Sequence, residues 1–328
     1  MIGYYVHHHG RGHLARATSI CAHLREPVTI LSSLAVPERP GVSAVRLPRD
    51  DEGTTAAGAD AGGALHWAPL HDAGLRERMA MITGWVSTHR PRVMVVDVSV
   101  EVTLLVRLLG VPVVVVAMPG DRIDLPHELA YRTAEHIVAA WPQKLYEPPW
   151  LAQHSRKTTY VGGISRFDGR RRLSPPAQDR PSILVLNGSG GADLTTDTVD
   201  RCAAAHPEFS WTTLGVKGGP WVDDPWPALC AADVVVSSAG QSSVADIATA
   251  GRPAIIVAQD RPFAEQQTTA RALHRAGLAV VRPQWPDLAD WPHLVDDARA
   301  LGSDVWDRWQ TSHSAARAAA LIDQAAAS

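Results

Sequence analysis

Apolar runs alternate with amphipathic segments along most of this chain. Several runs, such as VMVVDV at 93–98 and VPVVVVAM at 111–118, are almost continuous instead of alternating. A continuous run is typical of a strand that is buried on both faces, as in a parallel sheet covered by helices. Strand followed by helix, repeated, predicts the α/β class. We predict strands at 2–6, 28–33, 44–47, 93–98, 111–118, 137–141, 159–161, 183–186, 211–214, 233–237, 254–258 and 279–281.

The helices predicted between these strands lie at 14–24, 72–88, 99–109, 195–205, 243–250, 263–276 and 287–300. The alternation breaks between 143 and 181, a segment rich in proline and arginine that is typical of a domain boundary. Each half then restarts with an apolar strand that runs into a glycine-rich turn. We therefore predict two doubly wound, Rossmann-like domains at 1–160 and 161–310, followed by an alanine-rich helix within 311–328.

Composition narrows the class of protein. The chain has 328 residues, of which 45% are hydrophobic and 20% charged, with a net charge of -3. This length fits two domains of roughly 150 residues. A near-neutral charge argues against a nucleic-acid-binding protein. Three cysteines without metal-ligand spacing suggest a reducing compartment. No apolar run is long enough to span a bilayer, and no signal peptide is apparent, so we expect a cytoplasmic protein.

The first glycine-rich turn, HHHGRGH at 7–13, comes where a first strand passes into a first helix. Gly10 and Gly12 allow backbone N–H groups to approach an anion, and the helix N-terminus adds a favourable dipole. Histidine titrates near neutrality, so His13 is a candidate general base. An ordinary turn with surface histidines remains the alternative. Consecutive strand residues point to opposite faces, so we predict no metal site at 7–9.

A second glycine-rich turn, NGSGGA at 187–192, follows the strand at 183–186 and includes Gly188, Gly190 and Gly191. It lacks the Lys-Ser/Thr of a P-loop and is not a GxGxxG motif. Neither an NTP-hydrolysing loop nor a dinucleotide fold is therefore predicted. The turn is either one wall of a ligand cleft or an ordinary connection between a strand and a helix.

The third segment, SSAGQSSVAD at 237–246, passes from a strand through Gly240 into a helix. The spacing of Ser243 and Asp246 fits a capping box that closes the helix N-terminus. The functional alternative is that N–H groups of residues 241–243 hold a diphosphate, while Asp246 accepts ribose hydroxyls. Glu265, Gln266 and Gln267 follow the next strand, and their carboxylate and amide groups suit the hydroxyls of a sugar.

These segments together resemble the GT-B glycosyltransferases, and most of all the lipid-intermediate N-acetylglucosaminyltransferase group typified by MurG. GRGH at 10–13, YVGGISRFD at 160–168, NGSGGA at 187–192 and SSAGQSSVADIATAGRPAIIV at 237–257 occur in the order of that family. The resemblance implies two parallel-sheet domains facing a central cleft, an acceptor domain first and a donor domain second. It also implies that the final helix crosses back to the first domain. The implied contacts are His13 for catalysis, Gly12, Arg166, Gly190, Gln241, Ser242 and Ser243 for the donor diphosphate, Asp246 for the ribose, and Glu265, Gln266 and Gln267 for the donor sugar.

The activity implied by this resemblance is inverting transfer of a sugar from a nucleotide sugar, most often a UDP-sugar, to an acceptor hydroxyl. The family needs neither a metal nor another cofactor, and we see no Asp-x-Asp element. The chain has Asp246 where the family has Glu, and it lacks an apolar and basic patch for a lipid-linked acceptor. GRGHLAR at 10–16 also resembles the UDP-sugar hydrolases of nonulosonic acid synthesis. UDP-sugar epimerisation and non-catalytic nucleotide-sugar binding are the further alternatives.

Overall fold

A computed structural model describes residues 1–52, 58–173, 179–188 and 194–327. Within these ranges the strands form two parallel sheets. The first has seven strands in the order β3-β2-β1-β4-β5-β6-β7, and the second has five in the order β12-β11-β10-β8-β9. The strands are β1 (Ile2–Val6), β2 (Val28–Ser32), β3 (Val42–Arg46), β4 (Val93–Asp97), β5 (Val113–Ala117), β6 (His136–Ala139), β7 (Thr158–Tyr160), β8 (Ser182–Leu186), β9 (Ser210–Leu214), β10 (Val234–Ser237), β11 (Ala254–Val257) and β12 (Val280–Arg282).

Helices connect the strands, and 3-10 turns occur at Ser155–Lys157, Pro262–Ala264, Leu288–Asp290 and Asp304–Trp309. The helices are α1 (Arg11–Cys21), α2 (Ala73–His89), α3 (Val100–Leu108), α4 (Leu125–Thr133), α5 (Pro149–Ala152), α6 (Thr196–Ala205), α7 (Trp226–Ala231), α8 (Gln241–Ala250), α9 (Glu265–Arg275), α10 (Trp291–Ala300) and α11 (Ser314–Ala327). None of the helices in the described ranges is both long and apolar enough to cross a membrane.

The predicted α/β class with parallel sheets is confirmed. Every residue of β1, β4 and β5 is buried, as expected for valine-rich strands with helices on both faces. The edge strand β3 is more polar and has no fully buried residue. The last helix shares a buried cluster with the first sheet, in which Ala318 and Ile322 pack with Ile2, Tyr4 and Val95.

The order of the strands determines where a ligand can bind. All strands are parallel, but the order in which successive strands are added to the sheet reverses between β1 and β4 in the first sheet and between β8 and β10 in the second. Such switch points open a crevice beyond the carboxyl ends of the strands. The segments after β1, β8 and β10 contain the glycines Gly10, Gly12, Gly188 and Gly240, and together with the turn after β4 they line one cleft.

Several predicted boundaries differ from the structure. Helix α8 begins at Gln241 with Gly240 as its N-cap, and no side chain caps it. The predicted capping box of Ser243 and Asp246 is therefore wrong, because both residues already lie inside the helix. Helix α1 likewise begins at Arg11, three residues before the predicted start. Helices α4, α5 and α7 were missed because prolines near their first turns resemble loop signals in the sequence.

Candidate active site

A cleft of about 1080 Å³ lies between the carboxyl ends of the two sheets. It is lined by the turns that follow β1, β4, β5, β8, β10 and β11. The structure brings most of the predicted site residues together here. These lining residues are Gly10, Gly12, His13, Gly188, Gly240, Gln241, Ser242, Ser243, Glu265 and Gln266.

Three predicted residues do not line the cleft, namely Arg166, Asp246 and Gln267. The Gln267 side chain donates from Nε2 to Asp260 Oδ1 at 2.6 Å instead. Gly190 and Gly191 lie outside the residues that the structure describes. The roles of Arg166 toward a diphosphate and of Asp246 toward a ribose remain predictions.

His13 forms a pair with a buried carboxylate that the sequence pattern did not reveal. Asp97 is the last residue of β4, and its Oδ1 lies 2.8 Å from His13 Nδ1. Burial alone would raise the pKa of Asp97, but Arg16 and His13 outweigh burial and hold this pKa well below its usual range. Asp97 is thus an ionised acceptor, which favours the His13 tautomer with its proton on Nδ1. Arg16 Nη2 lies 2.9 Å from the same nitrogen and makes its shorter contact, 2.6 Å, to Asp97 Oδ1. The tautomer with the proton on Nδ1 leaves the Nε2 lone pair for a reacting proton.

Arg16 fastens this pair and links it to the opposite wall. Its guanidinium donates to both oxygens of Asp97, from Nε at 3.0 Å and from Nη2 at 2.6 Å. Its Nη1 donates to Gln241 Oε1 at 2.8 Å, across the cleft. Arg16 is buried, and a buried guanidinium needs such a paired carboxylate. The signal in the sequence was its place one helical turn after His13, on the same face of α1.

The second wall is the N-terminus of α8. Its first-turn N–H groups have no intrahelical acceptor, no side chain caps them, and no acidic residue lies in the first turn. Ser242 donates from Oγ to the carbonyl of Gly12 at 3.2 Å. The beginnings of α1 and α8 therefore meet at the centre of the cleft. An uncapped helix N-terminus of this kind can bind an anion.

Gln266 and Glu265 lie beside this helix terminus at the start of α9. Gln266 Oε1 accepts from the backbone N–H groups of Ala239 at 3.1 Å and Gln259 at 3.0 Å, which fixes the turns after β10 and β11. Glu265 Oε2 lies 3.9 Å from Nη2 of Arg122, which belongs to the first half of the chain. Gln266 thus has a structural role in addition to any contact with a ligand.

Asp246 lies one turn into α8, behind the cleft wall. Its Oδ1 accepts from Ser165 Oγ at 2.7 Å, and its Oδ2 accepts from Arg166 Nε at 3.1 Å. Burial raises the pKa of Asp246 to about 6, although both partners favour the ionised form. The pair joins α8 to the segment that follows β7. Its geometry is that of a structural ion pair.

A second series of hydrogen-bonded side chains in the cleft was also not predicted from the sequence. Arg122 Nη1 donates to His127 Nε2 at 2.9 Å, and Asp124 accepts from His127 Nδ1 at 2.6 Å and from His66 Nε2 at 2.9 Å. Burial and the Arg122 charge lower the pKa of His127 to about 4. His127 is therefore neutral at pH 7, with its proton directed at Asp124. No periodic pattern links His66 to Asp124, because these residues are 58 positions apart in the sequence.

Phe263 extends from the second half of the chain onto this group. Its ring centroid lies 4.7 Å from that of His127 and 4.8 Å from the Arg122 guanidinium carbon. The backbone has positive φ at Phe263 and at Ala264, a conformation that costs energy for residues other than glycine. The Phe263 carbonyl accepts from Asp121 N at 2.7 Å, beside Gly120, where a side chain would clash with it. This strained contact closes one end of the cleft.

Comparisons with known proteins agree with this architecture. A glycotransferase of kitacinnamycin has a TM-score of 0.69 at 17% identity and covers 99% of this chain and 98% of its own. MurG of Acinetobacter baumannii has a TM-score of 0.61 at 15% identity, with 98% and 99% covered. The chain has the GT-B fold. The predicted resemblance to GT-B glycosyltransferases is confirmed.

Sequence comparison finds a similar protein family and similar individual proteins. Residues 205–285 match the family model of the glycosyltransferase family 28 C-terminal domain. A protein of Sorangium cellulosum (strain So ce56), a UDP-N-acetylglucosamine--N-acetylmuramyl-(pentapeptide) pyrophosphoryl-undecaprenol N-acetylglucosamine transferase, is 30% identical over 255 residues. The alignment covers 67% of this chain and 60% of that protein. The chain spans about 60% of the length of the curated relatives of this kind.

Proposed function

We propose that the protein is a glycosyltransferase that moves a sugar from a nucleotide sugar to an acceptor hydroxyl. The observation that carries this proposal is His13, held by Asp97, directly opposite the uncapped N-terminus of α8. A positioned base and an anion site on facing walls are what transfer from a diphosphate leaving group requires. The similarity to family 28 of glycosyltransferases supports the same activity.

In the proposed reaction, His13 Nε2 takes the proton of the acceptor hydroxyl as its oxygen attacks the anomeric carbon. The bond from that carbon to the diphosphate oxygen breaks on the opposite face, so the configuration inverts. Asp97 stabilises the imidazolium that forms, and Arg16 keeps Asp97 ionised. Such a general base contributes about 10²–10⁴-fold to the rate.

The oxygens of the leaving diphosphate would accept hydrogen bonds from the backbone N–H groups of Gln241, Ser242 and Ser243. The positive end of α8 stabilises the charge that grows on the diphosphate, so the proposal needs no divalent ion at this position. Gly12, Gly188 and Gly240 line the same part of the cleft and let backbone approach the phosphates. Glu265 and Gln266 line the cleft beside this helix terminus, and we propose that they contact the donor sugar. We propose UDP as the nucleotide, because the names of the curated relatives specify a UDP-sugar.

Hydrolysis of the same donor is the second candidate. The observation that favours it is Arg16, because the GRGHLAR segment at 10–16 forms one connected unit with Asp97 and Gln241. A water molecule can replace the acceptor hydroxyl before His13 without any other change. Non-catalytic binding of a nucleotide sugar is the third candidate and would need the α8 terminus alone.

A panel of nucleotide sugars, incubated with and without cell extract, separates these candidates by release of the free nucleotide. Transfer predicts release that depends on the extract, hydrolysis predicts release from the donor alone, and binding predicts thermal stabilisation without release. His13→Ala must abolish release, whereas His274→Ala, on an exposed part of α9, must not. No release from any donor would contradict both enzymatic candidates.

A further inference from the structure

The histidines before the first glycine turn converge in a way that the sequence pattern did not predict. Strand β1 ends at Val6, and the backbone bends at residues 8–10. The alternation of strand side chains therefore does not apply to His8 and His9, whose ring centroids lie 4.3 Å apart. Both rings turn toward Asp51 on the same wall of the cleft. The alternation of strand side chains is therefore no argument against a metal site at His8 and His9.

The ligand atoms of these three side chains have the spacing of a metal site. Asp51 Oδ2 lies 3.1 Å from His8 Nε2 and 3.1 Å from His9 Nε2, and all three atoms lie within 4.8 Å of one another. Two ligand atoms that share one ion at about 2.1 Å, in tetrahedral or octahedral geometry, are roughly 3.0–3.4 Å apart. Two imidazoles and a carboxylate are the donor set of zinc-class divalent ions.

His8 Nε2 is a buried polar atom without a hydrogen-bond partner among the described residues, and such an ion would give it one. The His8 side chain is 1% exposed, and its Nε2 makes no hydrogen bond within the part of the chain that the structure describes. The atom lies close to Asp51 Oδ2 but is not aligned with it for a hydrogen bond. An ion that binds two atoms lies off the line that joins them. The misalignment is therefore compatible with a shared ion.

Charged groups lie behind the His8 ring. Arg78 Nη2 makes its shorter contacts, 2.6 Å each, to Ser33 Oγ and the Pro48 carbonyl, and a longer one, 3.4 Å, to His8 Nδ1. Asp50 Oδ1 lies 3.7 Å from the same nitrogen. A carboxylate behind a ligating imidazole is the usual arrangement at metal centres.

Asp51 is also fixed from behind. Arg49 donates to its Oδ1 from Nε at 2.9 Å and to its Oδ2 from Nη2 at 2.6 Å. This pair orients the carboxylate, as outer hydrogen bonds do at metal sites. The positive charge of Arg49 also lowers the affinity for a cation, so we expect the ion to bind with only modest affinity.

The other group of histidines in the cleft has shorter contacts at both ring nitrogens of its buried member, His127. His127 accepts from Arg122 at Nε2, so its proton is on Nδ1, between the ring and Asp124. Ligation through Nδ1 would transfer that proton to Nε2, where it would meet the N–H of Arg122. His66, Asp124 and His127 are therefore a hydrogen-bonded chain and serve as a matched control.

We propose that His8, His9 and Asp51 form a binding site for one divalent transition metal ion of the zinc class, on the first wall of the cleft. The site is distinct from the α8 terminus and is not required for the proposed glycosyl transfer. Its test therefore does not depend on turnover.

The test is a titration of the full-length chain without an affinity tag with Co²⁺, followed by visible absorption and by displacement with Zn²⁺. We expect one ion per chain, and a loss of affinity of at least roughly tenfold in His9→Ala and in Asp51→Asn. His9 is exposed, so His9→Ala tests the site without disturbing the fold. His66→Ala must bind as the unmodified chain does. The proposal is overturned if the unmodified chain binds no stoichiometric ion, if His9→Ala binds equally well, or if only His66→Ala loses the ion.

Discussion

Helices α1 and α8 begin alike on opposite walls of the cleft. Each comes after a buried strand, has a glycine as its N-cap, lacks a side-chain cap and has no acidic residue in its first turn. The two helices differ in the side chains of their first turns. On α1, His13 and Arg16 are held by Asp97 from a neighbouring strand, whereas α8 offers mainly its backbone N–H groups. We propose that the first wall serves proton transfer and that the second binds an anion.

The two walls also contact each other directly. Arg16 donates to Gln241, and Ser242 donates to the Gly12 carbonyl, so each helix start is positioned by the other. A change on the first wall is expected to lower turnover, and a change on the second is expected to lower donor affinity. Substitutions on each wall test that division.

The largest effect is expected from His13→Ala. Removal of the base should lower kcat by about 10²–10⁴-fold, because the acceptor hydroxyl then loses its proton acceptor. The dissociation constant of UDP should stay within about threefold, since the imidazole is not part of the α8 terminus. Transfer assays and calorimetric titration with UDP measure the two quantities. Equal losses of kcat and of UDP affinity would contradict separate roles for the two walls.

Asp97→Asn should lower kcat by about 10²-fold, because an amide no longer favours the required His13 tautomer. It should also lower the free energy of unfolding by about 3–5 kcal/mol, because Arg16 is left buried without its carboxylate. Denaturant unfolding measures this loss.

The double variant Asp97→Asn with Arg16→Met provides the control for that substitution. Removal of the unpaired guanidinium should recover much of the lost stability, while kcat stays low. Recovery of kcat along with stability would show that Asp97 acts only on the fold.

On the second wall, Gln241→Pro and Gln241→Ala form a matched pair. Gln241 is the first residue of α8, where proline is tolerated, and Gly240 has the extended conformation that proline requires before it. Both variants lose the Arg16 contact, but only Gln241→Pro loses the N–H. We expect UDP to bind about tenfold more weakly to Gln241→Pro than to Gln241→Ala, as for one charge-assisted hydrogen bond. Equal affinities would exclude this N–H from the diphosphate site.

The smallest functional effect is expected at Asp246, behind the second wall. Because its folded pKa is raised to about 6, the protonated form favours the folded state. This contribution is present below about pH 4 and is lost as the pH rises through 6, at a cost of about 2–3 kcal/mol. The difference in unfolding free energy between the unmodified chain and Asp246→Asn should follow that pH dependence. UDP affinity should change less than threefold, and a larger loss would restore the predicted ribose contact.

The sequence predicted the strands of this fold well, because valine runs buried on both faces have few alternatives. It also predicted the first glycine-rich turn, which lies between β1 and α1. It did not predict Asp97 as the partner of His13, because a separation of 84 positions in the chain leaves no periodic signal. The start of α8 was misplaced because a glycine N-cap leaves no side-chain signature, while Ser243 and Asp246 imitate one.

The contact between Gly12 and Ser242 has an electrostatic consequence. It sets two helix N-termini against each other, each with a partial charge of roughly +0.5. Neither first turn has a carboxylate to neutralise that charge. Without an anion, the two ends repel each other across the cleft, and a diphosphate between them turns repulsion into attraction on both sides. The donor would then act as the counter-ion of the interface, so that its departure loosens the two walls and lets the product leave.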